Sequence, residues 1–503
     1  ETRLLSFNAE TGEAVELDLP WMSQRFWNLR LVGPHRALLA VTQRGHQRFR
    51  LFDIDLLSGE VKTVIDEQSE TFIWTTHKTD LPQWTYLDAS DEVIWVSEKD
   101  GYQHLYLVDL SGDDEIRPIT SGEFVVRGID NIDEENRVLD LVVSGVHEGQ
   151  DPYLKHYARV DFSGENFTLL TDGNGNHTAT FSPDRSRLVV THSRVDSLPV
   201  HELRSTDGKL IQTLAKATVT PDDAKLNLPQ VFSAKGRDGE TDIWGLACFP
   251  EDYDPAADKK YPVVEYIYAG PHDSHVPKSF RSAPWHRDYV NAGFIVVQID
   301  GMGTANRSKA FHDVCWHNLK DAGFPDRIAW MKALAKEHPA MDLERVGIFG
   351  TSAGGQNTGS ALLFHGDFYD AGVAACGCHD NRMDKASWNE QWMGYPVGDH
   401  YSECSNIDNA ANLIGDLFLI VGELDTNVPP ESTLRFADAL IKAGKDFDLL
   451  VMPNVGHSDG GKYGKRRTLD FFIEKLEPGK EIDKSTSDSS EPSEEVATVL
   501  IDS

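Results

Sequence analysis

Basic residues are scarce in this chain. Of its 503 residues, 48 are Lys or Arg and 81 are Asp or Glu, a formal net charge of −33 at pH 7. A nucleic-acid surface needs clustered cations to displace counterions from phosphates, so no nucleic-acid partner is expected. Cysteine is sparse as well: Cys248, Cys315, Cys376, Cys378 and Cys404 are the five, none before residue 248. An odd number cannot pair completely within one chain, and reduced thiols are expected. Cys376-x-Cys378 lacks a second pair at zinc-site spacing and His272-x-x-His275 is an equally weak signal, so no metal is expected. No apolar run approaches the roughly 18 residues that a spanning helix needs, so no membrane span is expected in this sequence. The chain opens "ETRLLSFNAETGE", without Met and already strand-like. An upstream portion, with any signal peptide, is therefore expected to lie outside it.

What remains is an ordinary folded composition, 40% hydrophobic and 10% aromatic, on a length that suggests two or three domains. The first 214 residues repeat a pattern: a β-rich run, then a small polar turn ending in Gly. It occurs as "LLSFNAETG", "LFDIDLLSG", "LYLVDLSG", "HYARVDFSG" and "ELRSTDG", ending at Gly12, Gly59, Gly112, Gly164 and Gly208, at intervals of 47, 53, 52 and 44 residues. Such a period fits four-stranded propeller blades better than an array of hairpins in a sandwich. Five marks predict four to five blades over 1–218, a small or incomplete β-propeller. From about Leu214 to Pro229 the composition turns linker-like, and over 219–478 strand candidates alternate with helical segments. That alternation predicts a doubly wound, mostly parallel sheet. The last stretch, 479–503, is acidic and Ser-rich and is expected to be a disordered tail.

Three strand ends in the second half carry chemistry. "RVGIFGTSAGGQNTGSALL" sets Ser352 in a Gly-x-Ser-x-Gly turn between a strand and a helix, the pattern of a nucleophile elbow. "LFLIVGELDTNVPP" ends a strand near Asp425, with Glu423 as a substitute carboxylate, and "FDLLVMPNVGHSDGG" ends one near His457. His379 and His365 compete with His457 for the role of base, but neither follows a late strand. The order Ser, Asp, His is that of an α/β-hydrolase triad. An oxyanion hole would combine the Ala353 amide with a donor from "YIYAGPHDSH", where Tyr268 offers a hydroxyl.

Six segments in order, "YIYAGP", "VVQIDGMGT", "GIFGTSAGG", "WNEQWMGYP", "VGELDTNVPP" and "NVGHSDG", resemble the prolyl oligopeptidase clan of serine peptidases, family S9, and within it the dipeptidyl-peptidase IV branch. The resemblance implies a β-propeller joined to an α/β-hydrolase, with Ser352, Asp425 and His457 as triad and Tyr268 and Ala353 as oxyanion hole. It further implies Trp388, Asn427 and Val428 near the pocket for the residue preceding the cut bond. The implied partners are short peptide substrates, with no cofactor, and a homodimer is one arrangement it admits. Bacterial relatives of this type are often exported to the periplasm or outside the cell, while the sequence itself assigns no compartment.

The sequence also departs from the family. Thr351 and Ala353 stand where an aromatic pair commonly flanks the nucleophile, and Asp384 and Trp388 stand where the pocket usually has tyrosines. A carboxylate in an apolar wall is unfavourable by kilocalories unless paired, so proline preference does not carry over; Lys385 and Arg382 are candidate partners for Asp384. No convincing equivalent of the glutamate pair that grips a substrate amine is found, because "DEEN" at Asp133–Asn136 reads as a solvated turn. The expected activity is a serine peptidase acting on short peptides. An esterase or acylaminoacyl-peptidase with the same triad, and a non-catalytic propeller binding module, are the rivals.

Overall fold

Each glycine of the repeat closes a β-hairpin. In the computed structural model of the chain, Gly59, Gly112, Gly164 and Gly208 lie between the third and fourth strands of successive four-stranded antiparallel sheets. Gly59, Gly164 and Gly208 take φ between 80° and 84°, a left-handed conformation that glycine adopts without steric penalty. The structure describes residues 4–478 except 20–23, 77–80, 113–114, 219–227, 256–257 and 282–285. The 479–503 tail and most of the linker-like segment therefore lie outside the described residues. The four sheets begin at Gln24, Trp84, Val125 and Asn176, and a two-stranded sheet, Leu5–Phe7 with Ala14–Glu16, precedes them. This is a β-propeller of four full blades and one partial one among the described residues. Apolar side chains from neighbouring sheets pack together, as Ile94, Leu105 and Leu107 do with Val126, Leu139 and Leu141, because a single blade cannot bury both its faces.

From Gln230 onward one eight-stranded sheet forms. Its spatial order is Gln230–Lys235, Asp242–Cys248, Ile295–Asp300, Tyr261–Tyr266, Met341–Thr351, Ala371–Ala375, Asp416–Gly422 and Asp448–Met452. Only the second strand runs against the others. Side chains alternate across it. Leu417 and Leu419 join one core with Trp330, Leu362 and Phe436, while Phe418 and Ile420 join the other with Tyr289 and Phe471. The period of two in a strand thus places helices on both faces: Phe324–Glu337, Ala353–Phe364 and Pro430–Lys442 on one, Arg287–Ala292 and Gly461–Leu476 on the other. Deep in the first core, Arg327 Nη1 meets Glu265 Oε1 at 2.7 Å with neither side chain exposed, and Tyr369 donates to the other carboxylate oxygen at 2.7 Å.

The propeller docks where the parallel strands end. Lys278 pairs with Asp151 at 2.7 Å, and Lys309 donates to Thr71 and to the Phe72 carbonyl, each at 3.0 Å. Helix Ala386–Met393 supplies the rest. Glu390 holds Arg44 at 2.5 Å, Gln391 Oε1 accepts from the Thr75 and Thr76 amides, and Trp392 packs edge-on to Phe72 at 4.9 Å. The two units therefore meet over the carboxyl ends of the strands, the edge at which α/β sheets place their sites.

Candidate active site

Crowding explains the glycines around Ser352. A Cβ on Gly350 or on Gly354 would lie 2.3 Å from the Ile267 carbonyl oxygen, and one on Gly355 would lie 2.4 Å from the Ala375 oxygen. Strand and helix can cross so closely only without those side chains. Ser352 itself sits at φ 64°, ψ −121°, a strained position for a residue with a Cβ. Its amide donates to the Ala375 carbonyl at 2.9 Å and its carbonyl accepts from Gln356 at 3.1 Å, which locks the turn. Ala353 is the first residue of helix Ala353–Phe364, so its amide is among those left without an intrahelical partner.

Tyr268 reaches the same point from the loop after Tyr261–Tyr266. The loop is pinned where Ala269 donates to Asn357 Oδ1 at 3.0 Å and where Asp300 accepts from the His275 and Val276 amides. The Tyr268 ring packs on His275 with centroids 4.5 Å apart. Burial pushes its phenol above the ordinary value, an effect partly offset by its contact with the Ser352 hydroxyl.

Asp425 and His457 meet across the ends of the last two strands. His457 Nδ1 donates to Asp425 Oδ2 at 2.6 Å, and the carboxylate is fully shielded from solvent. Asp425 Oδ1 accepts from the Asn427 and Val428 amides, each at 2.9 Å. Three donors thus hold the carboxylate in one orientation. Glu423 instead accepts from the Asn454 amide. His379 is wholly buried against Phe436 and His365 stacks near Phe324, so neither competing imidazole joins this pair. No hydrogen bond joins Ser352 to His457, and His457 Nε2 lies 4.0 Å from Cys376 Sγ.

Trp388 lies over the Tyr268 loop, its ring 6.3 Å from that of His272. Asp384 is paired with Lys385 at 2.8 Å, while Arg382 is committed to Asp380 and Asp408. Lys385 also donates to the carbonyl and side-chain oxygens of Asn427 at 2.6 and 2.9 Å, and Val428 is buried. Asn427 is therefore occupied by a lysine. The "DEEN" segment is a turn in which Asp133 caps Asn136 and Glu134 accepts from the Ala89 amide.

Two features escaped the sequence reading. Cys376 lies beside His457, although 81 positions separate them. Within "WNEQWMGYP", Glu390, Gln391 and Trp392 fasten the two units together, while Trp388 packs against Trp392 and His272. A signal for the second existed in the run of polar residues Asn389, Glu390 and Gln391, all buried.

Comparison with known proteins agrees with this architecture. A family model described as "Prolyl oligopeptidase family" matches residues 280–479, and one described as "Dipeptidyl peptidase IV (DPP IV) N-terminal region" matches residues 7–199. Human dipeptidyl peptidase 8 is 29% identical over 264 residues, 49% of this chain and 28% of that protein. A probable dipeptidyl-aminopeptidase B of Emericella nidulans is 27% identical over 487 residues, 90% of this chain and 51% of that protein. The chain thus spans about half, or less, of these relatives' length. Among solved structures, Porphyromonas gingivalis dipeptidyl peptidase 4 superposes with a TM-score of 0.79 at 23% identity, covering 94% of this chain and 67% of that one. A putative dipeptidyl aminopeptidase IV from Bacteroides ovatus gives the same score and identity over 93% and 69%. One family model thus falls on each unit, so the second unit is similar to the prolyl oligopeptidase family and the first to the N-terminal region of its dipeptidyl-peptidase IV-like branch, while the two solved structures share the fold.

Proposed function

We propose that the chain is a serine peptidase that releases dipeptides from the amino termini of short peptides through an acyl-enzyme. Ser352 attacks the scissile carbonyl as His457 takes its proton. Catalytic hydrogen bonds of this kind are often loose before substrate binds. Asp425 fixes the imidazole tautomer that leaves Nε2 to take the proton, and stabilises the imidazolium that forms. The negative oxygen of the tetrahedral intermediate is received by the Tyr268 hydroxyl and the Ala353 amide. His457 then returns the proton to the leaving amine and activates water for deacylation. The observation that carries this reading is the His457–Asp425 bond at 2.6 Å, formed at the sheet edge that also carries Ser352 and Tyr268.

The dipeptidyl mode rests on the relatives' names, and the propeller docked over the strand ends favours narrow substrates. The paired Asp384 and the small Ala353 keep the acylaminoacyl-peptidase reading as the rival for substrate choice. Dipeptidyl, acyl-aminoacyl and simple ester coumarin substrates separate the two. Wild-type chain should turn over dipeptidyl amides and take a fluorophosphonate label, and Ser352→Ala should lose both, with a fall in kcat of at least roughly a thousandfold. Labelling that persists in Ser352→Ala, or ester cleavage without any peptide cleavage, rejects the proposal.

A further inference from the structure

Topology brings together what linear spacing kept apart. Cys376 follows strand Ala371–Ala375 directly, and its amide donates to the Ile420 carbonyl at 2.8 Å. The residue takes φ 39° and is 1% exposed. Its sulfur lies 4.0 Å from His457 Nε2, and Cys376, Asp425 and His457 each offer one ligand atom within 4.8 Å of the others. We propose that Cys376 and His457 form a site for a thiophilic divalent cation such as Zn²⁺, and that its occupancy shuts off the hydrolase.

The geometry suits the ion. Zinc–sulfur and zinc–nitrogen bonds of about 2.3 and 2.0–2.1 Å at a tetrahedral angle place the two ligand atoms about 3.5 Å apart. The observed separation must close by about half an ångström, or the angle at the metal must open. Because His457 Nδ1 donates to Asp425 at 2.6 Å, the Nε2 lone pair is the one presented toward the sulfur. A carboxylate on the far nitrogen is also how metal-bound imidazoles are commonly oriented and made more basic. The His457 side chain is 21% exposed, which leaves a path for the ion and for water as its remaining ligands. Binding forms one metal–sulfur and one metal–nitrogen bond, releases four waters from the six-coordinate aqua ion as it becomes tetrahedral with two waters retained, and releases the thiol proton to solvent. Inhibition follows from the function proposed above, because a metal on Nε2 removes the lone pair that would accept the serine proton. The ion binding itself is independent of that function.

Co²⁺ serves as the spectroscopic probe. Titrating the full chain should produce a thiolate-to-cobalt absorption band in the near ultraviolet, saturating at one equivalent and displaced by Zn²⁺. Cys376→Ala and Cys376→Ser should both lose the band, His457→Ala should weaken Co²⁺ binding by tenfold or more, and Cys378→Ala should leave the band unchanged. With dipeptidyl substrate, Zn²⁺ should inhibit wild type, and both Cys376 variants should need at least tenfold more Zn²⁺ while keeping kcat/KM within about threefold. The absence of a band in wild type, its survival in both Cys376 variants, or unchanged zinc sensitivity in the folded variants overturns the proposal. A chain that binds Co²⁺ through Cys376 but cleaves nothing refutes the function above and leaves the site standing.

Discussion

Replacing Tyr268 by Phe removes one oxygen and little else. The Tyr268 loop is held by Ala269 on Asn357 and by Asp300 on the His275 and Val276 amides, and the ring is supported by His275 at 4.5 Å; none of these contacts uses the hydroxyl. The variant should therefore fold, with a melting temperature within a few degrees of wild type, since a substitution that leaves packing intact shifts stability by about 1 kcal/mol or less. If the hydroxyl donates to the developing oxyanion, its loss leaves the Ala353 amide as the only donor. Loss of one such donor lowers kcat by about 10²–10³-fold, or roughly 2.7–4 kcal/mol of transition-state stabilisation. Because the bond matures only as charge develops, KM should change little. Burial raises the phenol above its ordinary value, so it stays protonated and able to donate through about pH 9. Wild type and variant should then share the shape of their pH profiles below that point, differing in height alone. Steady-state kinetics on a dipeptidyl coumarin amide, with calorimetry on the same samples, decides the matter. A kcat within threefold of wild type would refute the assignment, as would a loss confined to KM.

Gly354→Ala forces a Cβ to within 2.3 Å of the Ile267 oxygen, two backbone groups that cannot yield independently. Stability should fall by about 1–3 kcal/mol and kcat should fall with it, because Ile267 leads into Tyr268; an unchanged melting temperature contradicts the packing argument. Glu265→Gln strips the charge that compensates buried Arg327, and urea denaturation should show a loss of about 3–5 kcal/mol, with less than 1 kcal/mol counting against it. Acid should destabilise the chain through His156 and His379, both buried and each held near a value of about 3 by burial. The folded state keeps them neutral while the unfolded chain protonates them below about pH 6.5, so their contribution is complete above that pH and is lost on acidification. Between pH 6.5 and pH 5 each costs about 2 kcal/mol. His379→Gln, which keeps an acceptor for Asn406, should flatten the melting-temperature slope over that window, and an equally steep slope in the variant rejects the account.

Local order and chain topology divide the credit for this protein. Residues that speak through their neighbours were legible: the hairpin glycines, because four of the five, Gly12, Gly59, Gly164 and Gly208, take the positive φ that such turns favour, and the elbow around Ser352, because only glycines permit that crossing. The strand runs before Asp425 and His457 were legible as apolar stretches that break off into polar loops, the first a buried strand and the second the exposed edge strand of the sheet. Linear spacing, by contrast, carries no information about a contact whose closure spans the whole fold. Arg44 meets Glu390 across 346 positions, and Cys376 meets His457 across 81. Asp384 gave no sign of which cation it would take until Lys385 was seen to bridge it to Asn427. Side-chain identity fixed what chemistry each residue could offer. Which partner it offers that chemistry to was decided by the parallel sheet, which gathers its strand ends along one edge, and by the propeller docked against that edge.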